Sequence, residues 1–88
     1  MTVKVIEKGF AKKDSVDVDL IIGESKVRPG HYWVFQKLAR YEHGATNTFW
    51  QKLSPRRRMP HREEQAMLAD GLPLDEAVAL FKRRNKVR

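Results

Sequence analysis

The chain has 88 residues, of which 41% are hydrophobic and 33% charged, and its formal net charge is +7. This composition is typical of a globular domain and excludes an intrinsically disordered chain. The absence of cysteine excludes disulfides and thiolate metal sites, and no apolar run reaches the roughly 18 residues that a membrane span needs. We therefore expect one domain over residues 1–88, in a reducing, cytoplasmic setting and without membrane contact.

The N-terminal portion, residues 1–28, is predicted to form a β-hairpin. In VDVDLII, residues 16–22, apolar side chains alternate with Asp17 and Asp19, which is the pattern of a strand with one buried face. TVKVI, residues 2–6, alternates in the same way, and the intervening GFAKKDS supplies turn residues.

Residues 31–85 are predicted to form a helical portion. In HYWVFQKLARYEHG apolar residues recur at helical spacing from Val34 to Tyr41, and Gly44 fits a helix C-terminal cap. Because YWVF is rich in aromatic and β-branched residues, a third strand is the alternative for this segment.

A short second helix is predicted after Gly44, with Thr46 or Asn47 as its N-cap. This helix ends before Pro55, because proline disfavours helical geometry in the residue that precedes it.

The last third predicts two helices. HREEQAMLA forms the first, which Asp70 and Gly71 end, and Pro73 suits the first turn of the next. Acidic residues at the start of that last helix and basic residues at its end match the helix dipole. The predicted fold class is therefore α+β: an N-terminal β-hairpin packed against about three helices, ending in a helical hairpin.

The polar residues favour neither a catalytic nor a metal site. His31, His43 and His61 are twelve and eighteen residues apart, which matches no compact metal motif. The glycines are scattered singly, so no phosphate-cradling loop is present, and no serine lies in a nucleophile-elbow sequence. We therefore expect no enzymatic activity, no cofactor and no metal.

The excess positive charge is concentrated in the later part of the chain. Residues 1–30 carry six basic and five acidic groups, whereas residues 31–88 carry twelve and six. Clustered positive charge attracts polyanions and gains affinity by counterion release. The two basic blocks are Lys52, Arg56, Arg57, Arg58 and Arg62, then Lys82, Arg83, Arg84, Lys86 and Arg88, the last two within a basic tail of residues 86–88.

The stretch SPRRRMPHR, residues 54–62, favours a contact surface over a merely solvated loop. Its two prolines stiffen the backbone, which lowers the entropy cost of presenting the arginines. Arginine makes planar bidentate contacts with phosphate, and no acidic residue lies between Glu42 and Glu63 to neutralise these charges.

Six of the eight aromatic residues lie within residues 32–50, beside the first basic block. A domain of this size needs most of them for its core, and we expect Tyr32 or Trp50 to remain exposed. Exposed aromatics beside arginines are typical of surfaces that stack nucleic-acid bases.

These features predict a non-enzymatic nucleic-acid-binding accessory protein that contacts the phosphates of DNA or RNA through its basic clusters. The alternative is a protein-interaction module, an inhibitor or assembly factor, that docks its arginine and aromatic surface on an acidic protein. A homodimer is a further possibility, because a two-stranded hairpin has open edges that can pair across two copies.

Overall fold

The computed structural model describes residues 4–13, 16–55 and 58–85, which form an antiparallel sheet followed by two helices. The strands β1 (Val5–Lys13), β2 (Val16–Glu24), β3 (His31–Glu42) and β4 (Ala45–Lys52) lie side by side in chain order. The helices are α1 (His61–Asp70) and α2 (Leu74–Arg84). Between them β5 (Leu72–Pro73) pairs with the start of β3.

The predicted hairpin packed against about three helices is wrong. Residues 31–52, placed in the helical portion, form β3 and β4, and the two helices of the described chain both lie in its C-terminal part. The alternative interpretation of YWVF as a third strand is the correct one. The helices are also not joined by a simple turn, because β5 adds to the sheet between them.

The β3–β4 hairpin forms because the backbone conformation of its turn matches the twist of its two strands. His43 and Gly44 have φ angles of 52° and 79°, as the two-residue turns that match strand twist require. Gly44 is therefore a turn residue and not a helix cap. In β3 the consecutive residues Trp33, Val34 and Phe35 are all buried, so both strand faces are apolar there and the simple alternation of a strand is lost.

Three other predicted elements are confirmed. The alternating segment 16–22 lies within β2, and the helical segments before and after Gly71 form α1 and α2. The first strand is longer than predicted, because β1 continues through Gly9 to Lys13 and pairs with the whole of β2. Most of GFAKKDS is therefore strand.

The main core forms where α2 packs on one face of the sheet. Its fully or nearly fully buried members come from β2, β3, β5 and α2: Leu20, Ile22, Val34, Leu72, Ala77, Leu80 and Phe81. Burying each large apolar side chain stabilises the fold by about 1.5–3 kcal/mol. This contact fixes the direction of α2 across the sheet.

A second cluster occupies the opposite face of the sheet, since strand residues alternate between faces. It contains Ile21, Trp33 and Phe35, with Trp50 packed against it. The rings of Trp33 and Phe35 meet edge to face at 5.8 Å between centroids. The buried indole N–H of Trp33 has no hydrogen-bond acceptor among the described residues.

The C-terminal end of α2 is attached to β1. The backbone N–H of Phe10 donates to Asn85 Oδ1 at 3.1 Å. Gly9 lies directly under this end, where a Cβ would come 2.8 Å from Phe81 Cζ and closer still to the Asn85 side chain. Glycine at this position therefore allows the helix end to approach the strand.

We predict that Gly9→Ala lowers the free energy of unfolding by about 1–3 kcal/mol, because the added methyl group must displace Phe81 or Asn85. Chemical denaturation measures the effect. The matched control is Lys8→Ala at the exposed neighbouring position, which should change stability by less than about 0.5 kcal/mol. Equal stability of the two variants would show that α2 does not end against β1.

Candidate nucleic-acid interface

A polar cleft lies near the point where the two hairpins of the sheet stop pairing with each other. β2 and β3 pair from Glu24 opposite Tyr32 to Leu20 opposite Gln36, and beyond that point each hairpin pairs only within itself. The cleft has a volume of about 450 Å³. We call it the basic cleft, and its lining residues are Lys12, Gln36, Gln51, Lys52, Leu53, Ser54, Glu64, Leu68 and Arg84.

Its charge comes from elements that are distant in the sequence. Lys12 belongs to β1, Lys52 to β4 and Arg84 to α2, and they share the lining with one carboxylate, that of Glu64. The ammonium of Lys12 also pairs with Asp17 at 3.1 Å. Such an exposed pair is worth only about 0–1 kcal/mol, so Lys12 can turn towards an anion at little cost.

Gln36 gives the basic cleft a buried polar group. The residue as a whole is only 6% exposed, but its amide is not among the buried polar groups of the described chain that lack a hydrogen-bond partner. Gln51 pairs with Gln36 across the β3–β4 ladder, and cross-strand partners share a face of the sheet. Each amide offers both donors and an acceptor, so a polar ligand in the cleft can satisfy them.

Two hydrogen bonds bring other basic segments to the same end of the molecule. Arg83 Nη2 donates to the carbonyl oxygen of Pro55 at 2.9 Å, which attaches the start of the SPRRRMPHR stretch to the end of α2. Asn85 attaches β1 to that end as described above. The basic end of α2 thus meets both β1 and the segment that begins the SPRRRMPHR stretch.

The structure places the predicted binding residues unevenly. Arg58, Arg62, Lys82, Arg83 and Arg84 are exposed. Arg56, Arg57, Lys86 and Arg88 lie outside the described residues. Lys12, Gln36 and Gln51 were not predicted, because only the strand register and the course of α2 bring them together.

The ammonium of Lys52 contacts other residues of the same chain. Its Nζ donates to the carbonyl oxygen of Leu68 at 3.0 Å and lies 4.0 Å from the centroid of the Trp33 ring. Burial lowers the pKa of the Lys52 ammonium below its usual value of 10.5. Lys52 therefore joins β4 to α1 in addition to lining the basic cleft.

The expectation that Tyr32 or Trp50 is the exposed aromatic needs correction. Both are half-buried, Tyr32 against the main core and Trp50 against the second cluster. The exposed aromatic residues are Tyr41, at 73%, and Phe49. They lie in the β3–β4 hairpin near its turn, beyond the sheet area that α2 covers.

Residues 4–13, 16–55 and 58–85 contain no group of three or more histidine, aspartate or glutamate side chains able to hold a metal ion. No helix among them is sufficiently long and apolar to cross a bilayer.

No protein-family model matches this sequence, and comparisons with curated proteins and with solved structures gave no match either. The function therefore has to be argued from the residues and their geometry.

We predict that Arg83→Ala makes the Arg58–Met59 bond several-fold more sensitive to trypsin, because the hydrogen bond to Pro55 no longer holds the loop against α2. Mass spectrometry of timed digests identifies the cleaved bond. Lys82→Ala is the matched control, since Lys82 is exposed and makes no hydrogen bond or ion pair within the described chain. Equal cleavage rates in both variants would contradict this attachment.

The lowered pKa of Lys52 also predicts that the free energy of unfolding depends on pH. Because its pKa is lower in the folded than in the unfolded protein, the unfolded state binds more protons between the two values, and stability rises with pH there. We expect the unfolding free energy of the wild type to rise relative to that of Lys52→Met as the pH approaches 10.5. Denaturation series at several alkaline pH values measure this difference, and a constant difference would contradict the partial burial of the Lys52 ammonium.

Proposed function

We propose that this protein is a non-enzymatic nucleic-acid-binding accessory protein that holds phosphates in and around the basic cleft. The observation that carries the proposal is the convergence of basic groups from β1, β4 and α2 on one cleft. The lining cations Lys12, Lys52 and Arg84 outnumber the carboxylates of Glu64 and of Asp17, which pairs with Lys12. The resulting positive potential is suited to a polyanion.

The positive surface extends beyond the basic cleft. Lys82 and Arg83 are exposed next to Arg84 in the last turn of α2, and Arg83 holds Pro55 against that turn. A small anion would need only the cleft. A longer row of cations fits a chain of phosphates, in which each neutralised phosphate releases counterions.

The two ends of α2 also carry opposite charges. Asp75 and Glu76 occupy its first turn, and Lys82, Arg83 and Arg84 its last. These ends are separated by roughly 15 Å along an 11-residue helix. A polyanion is therefore attracted to the end that adjoins the basic cleft and repelled by the other.

The amides of Gln36 and Gln51 suit a nucleotide better than they suit a phosphate alone. Phosphate contacts position a nucleic acid without reading its sequence, whereas side-chain amides can hydrogen-bond to base edges or sugars. Lys12 and Arg84 supply the phosphate contacts at the same site.

The test replaces Lys82 and Arg84 by alanine and compares binding of single-stranded DNA, duplex DNA and RNA with that of the wild type. Affinity should fall, and the slope of log K against log salt should become shallower by roughly 1.5–2 units for two lost phosphate contacts. Fluorescence anisotropy over a range of salt concentrations gives both quantities for each nucleic acid.

The matched control replaces Lys26 and Arg28, which are exposed in the turn between β2 and β3. This pair removes the same charge near the other end of α2, since His31 pairs with Pro73 just before that helix. Equal losses in the two variants would show an unspecific effect of net charge. No binding at low salt, together with recovery of one stoichiometric acidic protein after nuclease treatment, would replace this proposal by the protein-interaction module.

A further inference from the structure

The two outer edges of the sheet are protected very differently. β1 forms one edge, and a register shift between Val5 and Glu7 interrupts its ladder. Charged residues occur along β1 at Glu7, Lys8 and Lys12, and Lys4 precedes it. Bulges and charged side chains are the devices by which proteins prevent unwanted pairing at a sheet edge.

β4 forms the other edge, and only its last residue, Lys52, is charged. Residues 46–51, Thr-Asn-Thr-Phe-Trp-Gln, contain no charged residue, no proline and no glycine, and their register with β3 is regular. No strand of the described chain pairs with the outer side of β4, and residues 45–49 are exposed. A neutral strand of high β-propensity in this position is a template for pairing.

The backbone of β4 presents regular hydrogen-bonding groups to solvent. The N–H of Leu53 donates inward to the carbonyl oxygen of Val34 at 2.8 Å. Since the direction alternates along an antiparallel strand, the N–H and C=O groups of Thr46, Thr48 and Trp50 point outward.

We propose that β4 pairs with β4 of a second copy of this chain, antiparallel and centred on Thr48, which joins the two sheets into one. A two-fold axis requires a self-complementary segment. In this register Thr48 lies opposite Thr48 of the partner subunit, and Thr46 lies opposite Trp50 of the partner subunit. Threonine pairs and pairs of aromatic with β-branched residues are favourable cross-strand neighbours.

Local charge at this edge does not oppose a second copy. Each chain carries +7, so two copies repel each other at most approaches, yet residues 43–51 contribute no Asp, Glu, Lys or Arg. The basic groups at the end of α2 are not part of the pairing edge. Gln51 and Lys52 of the basic cleft lie at the end of β4, but the mass and cross-linking tests use no nucleic acid, so the two proposals can fail separately.

The first test is the mass in solution, measured by light scattering on nuclease-treated protein at high salt so that no polyanion can bridge two chains. The wild type should have twice its 10.3 kDa chain mass at high micromolar concentration. Thr48→Lys places a charge at the centre of the edge and should give the monomer mass. Val27→Lys, at an exposed turn position, adds the same charge elsewhere and should remain a dimer.

The second test uses the absence of cysteine from the chain. In the proposed register the Thr48 Cα atoms of the two copies lie about 5.5 Å apart, within the range of a disulfide. Thr48→Cys should form a covalent dimer on mild oxidation, whereas Val27→Cys should not. Any one of three results would overturn the proposal: a monomeric wild type, a dimer that persists in Thr48→Lys, or failure of Thr48→Cys to cross-link. If Thr48→Lys does not fold, the cross-linking result decides alone.

Discussion

The packing of α2 on the sheet determines where the functional groups of this protein lie. Ala77, Leu80 and Phe81 contact a sheet face built from β2 and β3, and this contact sets the direction of the helix. Its basic last turn consequently ends beside β1 and the segment at Pro55. A different helix direction would scatter the same cations over the surface and leave the basic cleft with Lys12 and Lys52 alone.

The cations at the end of α2 have two physical roles. Lys82, Arg83 and Arg84 stabilise the helix through its dipole, typically by about 0.3–1 kcal/mol each. That effect alone needs neither the hydrogen bond from Arg83 to Pro55 nor the presence of Lys12 beside Arg84. The meeting of three basic segments is therefore more than helix stabilisation requires, which is why we propose a polyanionic ligand.

Local sequence signals were sufficient for β2, through its alternation, and for α1 and α2, through the stop at Gly71 and the charged ends of α2. They failed for β3, because Trp33, Val34 and Phe35 are buried on both faces and imitate an apolar helix segment. The basic blocks could be read directly from the sequence. Gln36 and Gln51 could not, because their proximity to Arg84 depends on strand register and on the course of α2 across the sheet.

The most direct test of the account is an NMR titration of the isotope-labelled protein with a short single-stranded oligonucleotide. The account predicts that the side-chain amide signals of Gln36 and Gln51 shift together with the backbone signals of Lys12 and Arg84. The turn of residues 26–30 should remain unchanged. Shifts confined to that turn, or no shifts at low salt, would contradict a nucleic-acid site at the basic cleft.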